Sequence, residues 1–260
     1  MEKFHMYDQI ASSTHSQVYK GRLKMSIEYV AIKRVDKSRM DSVVTEVQAI
    51  HRLCSPNVLK FHDWYETRNN VWLILEYCAG GSLKSLIEQD GGEPESAVRL
   101  FGVDLMAGLQ HVHAAGLLHC DLRPANILVD EYGILKLSGF SCAQKIASLK
   151  PLASPGSSAS APGSRSGGRQ QEQASNYAAP ELFLRQFSHS FASDFWSLGC
   201  LLLELRTGTP AFDAALLPDV VQSIMDREPG GLAELEEGGL CDLIRALLDK
   251  PAANTTVSAS

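Results

Sequence analysis

His119-Cys120-Asp121-Leu122-Arg123-Pro124-Ala125-Asn126-Ile127-Leu128 leads, a few residues on, into Leu135-Lys136-Leu137-Ser138-Gly139-Phe140-Ser141, and these two stretches decide how the chain is read. The first gathers a carboxylate (Asp121), a cation (Arg123) and a carboxamide (Asn126) just ahead of an apolar pair. The second is almost a metal site. Hard divalent cations take oxygen ligands, and Gly139 has no side-chain oxygen to give.

The composition around that centre sets limits. The chain has 260 residues, 45% hydrophobic and 21% charged, enough for one large domain or two small lobes. A formal net charge of -6 argues against nucleic acid as a partner. No run approaches the roughly 18 apolar residues of a membrane helix, and Met1-Glu2-Lys3-Phe4 is not the start of a signal peptide. Cys54, Cys78, Cys120, Cys142, Cys200 and Cys241 are scattered with no CxxC pair, which fits reduced thiols and a cytoplasmic setting.

The first eighty or so residues read as strands with one helix. Tyr7 to Ile10 and Gln17 to Gly21 flank a small polar turn; Tyr29 to Val35, Val58 to Phe61 and Val71 to Tyr77 are further strands. Val43 to Leu53 is predicted as a helix with Val43, Val47, Ile50 and Leu53 on one face. After Gly80-Gly81 the pattern is helical. Ala97 to Ala115 places Leu100, Phe101, Leu105, Leu109 and Val112 at helical spacing, and Ser193 to Thr207 is apolar nearly all round, as a central buried helix is. Between residues 146 and 175 the composition falls to Ser, Ala, Gly, Pro, Arg and Gln, too little apolar surface to offset ordering entropy; a disordered insertion is predicted, with exposed Ser154-Pro155 open to phosphorylation.

These motifs, in this order from about Tyr7 to Pro251, resemble the eukaryotic protein kinase superfamily of the Ser/Thr type. The resemblance implies an α+β, two-lobed protein kinase fold. Residues 1–78 would form the β-rich N-lobe with the hinge, and 79–251 the mainly helical C-lobe carrying the insertion. Residues 252–260 would be a disordered or truncated tail, the family's last helix having no evident counterpart.

Site roles follow from the same resemblance. Val30-Ala31-Ile32-Lys33 matches the strand whose lysine meets the ATP phosphates, and Glu46 the glutamate that pairs with it. Leu75 matches the gatekeeper and Glu76-Tyr77-Cys78 the hinge. Ile10, Val18, Ala31 and Leu128 belong with them at the adenine, where apolar residues serve plain core packing equally well. Asp121 takes the catalytic-base position, Asn126 that of the second metal ligand, and Arg123 replaces a lysine. His119 and Asp194 organise backbone; Ala179-Pro180-Glu181 closes the activation segment.

Four departures weaken the match. Gly139 stands where the family's principal magnesium ligand would be, leaving Asn126 to hold the metal loosely. Ala11, Ser13 and Ser16 replace the glycines of the phosphate-covering loop, which predicts a weaker clamp. Cys120 replaces an arginine that grips a phosphorylated activation segment. Asn254 stands where Glu181 would find its arginine.

Val18 to Arg22 and Phe61 to Thr67 are similar to the Unc-51-like and Fused group, in particular its fourth Unc-51-like branch. That likeness implies a scaffold with protein partners, another kinase or microtubule and ciliary proteins, and a cytoskeletal or ciliary association. Three functions stay open: a pseudokinase that binds ATP with magnesium weak or dispensable, an active Ser/Thr kinase with atypical metal handling, and a nucleotide-free interaction domain.

Overall fold

Alternation along the third strand explains the N-terminal half. In a computed structural model, which describes residues 3–148, 176–183, 188–214 and 216–250, five strands form one antiparallel sheet in the order β1-β2-β3-β5-β4. They are β1 (Phe4–Ser12), β2 (Ser16–Leu23), β3 (Tyr29–Asp36), β4 (Phe61–Glu66) and β5 (Asn70–Glu76). Val30 and Ile32 of β3 join Ile74 in a small cluster on one face, while Ala31 and Val35 join Val71, Leu73 and Leu75 in the main core on the other. Gly21 on β2 keeps the first face tight, since a Cβ there would lie 2.4 Å from Cδ1 of Ile32.

Helix α1 (Met40–Ile50) crosses the core face of the sheet, burying Val43, Glu46, Ala49 and Ile50. It ends before Leu53, where the sequence predicted its end, though Leu53 stays buried in the following turn. The strand predicted at Val58 to Phe61 begins only at Phe61. Val58 forms a single bridge to Leu137, and the backbone of Asn57 and Leu59 exchanges hydrogen bonds with Leu137 at 2.9 Å. That segment therefore fastens the two lobes together and is not free to join the sheet.

The C-terminal half packs α2 (Leu83–Asp90), α3 (Glu95–Ala114), α4 (Phe191–Thr207), α5 (Leu217–Asp226) and α6 (Gly239–Leu247), with two small ladders, β6 (Leu117–Leu118) with β9 (Gln144–Lys145) and β7 (Ile127–Val129) with β8 (Leu135–Leu137). Capping boxes at Ser82–Ser85 and Ser190–Ser193 start α2 and α4. Along α3 the buried stripe is Val98, Leu105, Leu109 and Val112; Leu100, assigned to that face from spacing, is 70% exposed because five residues of helix turn it well away from Leu105. Helix α4 lies at the centre, with Leu198, Leu201, Leu202, Leu203 and Leu205 at most 1% exposed. Ile146–Ser148, assigned from composition to the insertion, form a 3-10 turn, with Ile146 N–H donating to the Gly116 carbonyl at 2.9 Å; the rest of the insertion, with Ser154-Pro155, and the tail with Asn254 lie outside the described residues.

Candidate nucleotide-binding cleft

Between the lobes lies a cleft of about 690 Å³, lined among others by Ser13, Ser16, Lys33, Glu46, Asp121 and Arg123. Its upper wall follows from two periodicities. Lys33 shares the core face of β3 with Ala31 and Val35, and Glu46 shares a helical stripe with Val43 and Ile50. They meet as predicted: Lys33 Nζ donates to Glu46 Oε1 and Oε2, both at 2.8 Å, with the glutamate side chain only 6% exposed. Such a charge tolerates burial because it is paired.

The lower wall is held from beneath. Asp194, in the first turn of α4, accepts from the backbone N–H groups of His119 and Cys120 at 2.9 Å each and is 2.8 Å from His113 Nε2. Burial alone would raise its pKa, but these bonds and the neighbouring His119 outweigh it and hold the carboxyl below its ordinary range. Cys120 adopts a left-handed φ of 64°, a strained conformation that the two bonded amides stabilise. His119 is fully buried, stacks near Phe140 with centroids 4.7 Å apart, and lies 3.0 Å from the Ser138 carbonyl; burial pushes its pKa down.

The predicted metal position is closely packed. Asn126 Nδ2 donates at 2.8 Å to both the backbone oxygen and Oδ2 of Asp121, so its Oδ1 faces Gly139. A Cβ on Gly139 would sit 2.5–2.8 Å from the Asn126 carboxamide, which thus fills the space a longer side chain would need. Gly139 itself has φ 79°, and Ser138 fixes the approach by donating Oγ and N–H to the Asn126 carbonyl at 2.8 Å. The residues present do not fit the family's metal: Gly139 gives no ligand, which leaves of that pair the Asn126 Oδ1, on a carboxamide held by its bonds to Asp121. Among the described residues no group of three His, Cys, Asp or Glu side chains is placed to hold a cation. Arg123 Nε lies 3.4 Å from Asp121 Oδ1 without hydrogen-bond alignment.

The phosphate-covering turn is also altered. Ser13 Oγ accepts from the N–H groups of Ser16 at 3.1 Å and His15 at 3.4 Å and lies 2.8 Å from Ser16 Oγ, while Ser13 N–H donates to the Ser16 carbonyl at 2.8 Å. Three of the turn's amides are therefore bonded inside the turn.

At the adenine end, Ala31 pairs with Leu75 across β3 and β5, and both are buried; Val18, Cys78 and Leu128 pack half-buried against the same core. Ile10 on β1 is outside that cluster and 47% exposed. Burial and the nearby Glu76 push the Cys78 thiol pKa up to about 12, so it is an apolar lining group and not a nucleophile.

Two residues escaped the sequence reading. Lys136, flanked by leucines on a strand, is 8% exposed: its Nζ donates to the Pro56 carbonyl at 3.0 Å and lies 3.0 Å from Glu76 Oε1 and 3.6 Å from Asp130 Oδ2. This joins the hinge to the C-lobe. His113 continues the α3 stripe four residues after Leu109, a spacing that could have revealed it. Glu181, without Asn254 described, is half-buried and makes no ion pair among the described residues.

Residues 4–235 match the protein kinase domain family. The chain is similar to serine/threonine-protein kinase RUNKEL of Arabidopsis thaliana, 41% identical over 253 residues covering 97% of this chain and 18% of that protein. It is similar to serine/threonine-protein kinase ULK4 of Mus musculus, 39% identical over 243 residues, 88% of this chain and 18% of that one. Serine/threonine-protein kinase 36 of Pongo abelii is 30% identical over 230 residues, 86% of this chain and 16% of the relative. The chain thus spans less than a fifth of the length of these relatives.

Proposed function

The chain belongs to the protein kinase domain family, and from that premise we propose that it is a pseudokinase: a kinase-shaped module that holds an adenine nucleotide without needing a divalent metal, transfers little or no phosphate, and serves as a scaffold or allosteric partner. The kinase fold implies ATP binding. One observation supports the rest: the Asn126 carboxamide fills the space a side chain at position 139 would need, while the Lys33–Glu46 pair stands at 2.8 Å.

In this reading Ala31, Val18, Leu75 and Leu128 enclose the adenine by apolar contact, and the backbone at Glu76 and Cys78 supplies hydrogen bonds to its edge. Lys33, aimed by Glu46, meets the inner phosphates. Bound ATP would supply a transferable phosphoryl group. Asp121 faces that position but is tied by the Asn126 amide, and Arg123 is left to balance its charge. Removing a preorganised charge-stabilising group costs roughly 2.7–4 kcal/mol of transition-state stabilisation, so turnover falls by at least about a hundredfold.

The retention of Asp121 and Asn126 in hydrogen-bonded contact favours a second reading, an active Ser/Thr kinase with unorthodox metal handling. The Ser13–Ser16 closure favours a third, the nucleotide-free interaction domain. Thermal-shift titration with ATP in EDTA and in magnesium separates them: at about a hundred times Kd a ligand stabilises by roughly 2.7 kcal/mol. Stabilisation in EDTA supports the pseudokinase; stabilisation confined to magnesium, with phosphorylation abolished by Asp121→Asn, supports the active enzyme; no shift leaves the empty module. The thiols of the described cysteines support a cytoplasmic setting, and the scaffold role extends to a cytoskeletal or ciliary partner or another kinase. Imaging of a tagged chain with proximity labelling would contradict this if neither cytoplasm nor such proteins were marked. Among the described residues no helix is long and apolar enough to cross a membrane.

A further inference from the structure

We infer that the phosphate end of this cleft does not distinguish adenosine triphosphate from adenosine diphosphate, and that Ser13 is the residue that removes the distinction. The inference rests on the nucleotide-binding reading above and concerns what that site selects. A third phosphate is recognised only if donors or charges are free to meet it, and three observations show how few are.

The first is the turn. The N–H groups of Ser13, His15 and Ser16 are all used within it, two of them on the Ser13 hydroxyl. An amide already bonded to a serine must break that bond before it can serve a phosphate oxygen, so the net gain is small. The second is charge. Lys33, Arg39 and Arg123 line this end of the cleft, but so do Asp41, Glu46 and Asp121, and their formal charges cancel. A triphosphate brings more negative charge than a diphosphate and finds no surplus cation among the described residues lining this end. Third, Gly139 has no side chain and the carboxamide of Asn126 packs against it, so of the two positions that would ligate a bridging metal only Asn126 remains, too little to neutralise the outer phosphates well. What remains, the Lys33–Glu46 pair and the adenine pocket, reads only those parts of the ligand that both nucleotides share.

The experiment is calorimetric titration of adenosine, ADP and ATP, in EDTA and again in magnesium, with the wild-type chain, Ser13→Gly and Ser13→Ala. For the wild type, ADP and ATP are expected within about threefold of each other in both buffers, a difference below the roughly tenfold that one good hydrogen bond to a charged group gives. Both should bind more tightly than adenosine. Ser13→Gly and Ser13→Ala free the His15 and Ser16 amides, and ATP should gain about tenfold over ADP. Ser13→Ala guards against an effect of glycine flexibility alone, because it removes the hydroxyl without loosening the backbone. The inference is overturned if wild-type ATP binds more than about tenfold tighter than ADP in either buffer, or if neither variant moves the ratio. Failure of all three ligands to bind the wild type would instead overturn the nucleotide reading, and this inference with it.

Discussion

The two walls of the cleft differ in what their charged residues do for the fold. On the upper wall, Glu46 is buried inside the packing of α1 against the sheet and is satisfied by Lys33 at 2.8 Å. Loss of the lysine would leave a desolvated carboxylate alone, so architecture as well as nucleotide binding needs the pair. On the lower wall, a side chain at position 139 would meet the Asn126 carboxamide, which is bonded to Asp121 and needs nothing from position 139. The difference teaches that a catalytic group with a structural debt is harder to lose than one whose only partner was the metal.

The comparison breaks first at Lys33. Lys33→Met is expected to destabilise the fold by on the order of 3 kcal/mol, since it strands Glu46, and to abolish any thermal shift with ATP. Chemical denaturation checks the first part, and an unchanged midpoint would place the pair among decorative surface contacts. The lower wall should respond less. Gly139→Asp is expected to cost about 1–3 kcal/mol through the overlap of its Cβ with the Asn126 carboxamide, and to leave ATP binding indifferent to magnesium. A magnesium-dependent shift in this variant would mean that Asn126 yields readily and that the filled position is shallow.

Acid tests the support beneath that wall. His119 is buried with its pKa lowered, so below its unfolded value of about 6.5 the unfolded chain binds more protons than the folded one. Stability is therefore expected to fall as pH drops from 7 through about 6, by no more than about 1.4 kcal/mol per pH unit for this group. Asp194, lowered as well, adds its loss only below about pH 4, its unfolded range. Denaturation midpoints of wild type and His119→Asn across this range check the sign: a variant that keeps the same slope would exonerate His119. The smallest effect concerns the hinge. Cys78, pushed up to about 12, should resist iodoacetamide at pH 7.5 while exposed Cys54 reacts, as peptide mass mapping would show.

Much of the upper wall was legible because Val30-Ala31-Ile32-Lys33 and the spacing to Glu46 resemble the kinase pattern; alternation along β3 and helical spacing along α1 then account for the face each side chain takes. The catalytic-loop residues were legible from the spacing of Asp121, Arg123 and Asn126. What stayed hidden depends on contacts between segments distant in sequence. That the Asn126 carboxamide packs against Gly139 is a contact between two separate segments, and the Ser13 closure follows from the turn's geometry, which composition showed only as small and polar. The late start of β4 has the same origin, since Val58 and its neighbours bond to β8 in the other lobe. Leu100 was misplaced for a simpler reason: the sequence shows an apolar residue on α3 but not which side the core lies on.

Lys136 has one more consequence. Its ammonium ties the hinge glutamate, the Pro56 carbonyl and Asp130 into a single buried knot, while Gly80 N–H and Val129 N–H cross-link the hinge exit to β7 at 2.9 Å. Flexing of the lobes must loosen this knot, so the amides around it should exchange with deuterium almost as slowly as the C-lobe core. Kinases whose lobes swing apart on each cycle need the opposite. In this molecule the contacts of Lys136 favour one hinge posture, and Lys136→Ala should make its exchange as fast as that of an ordinary loop.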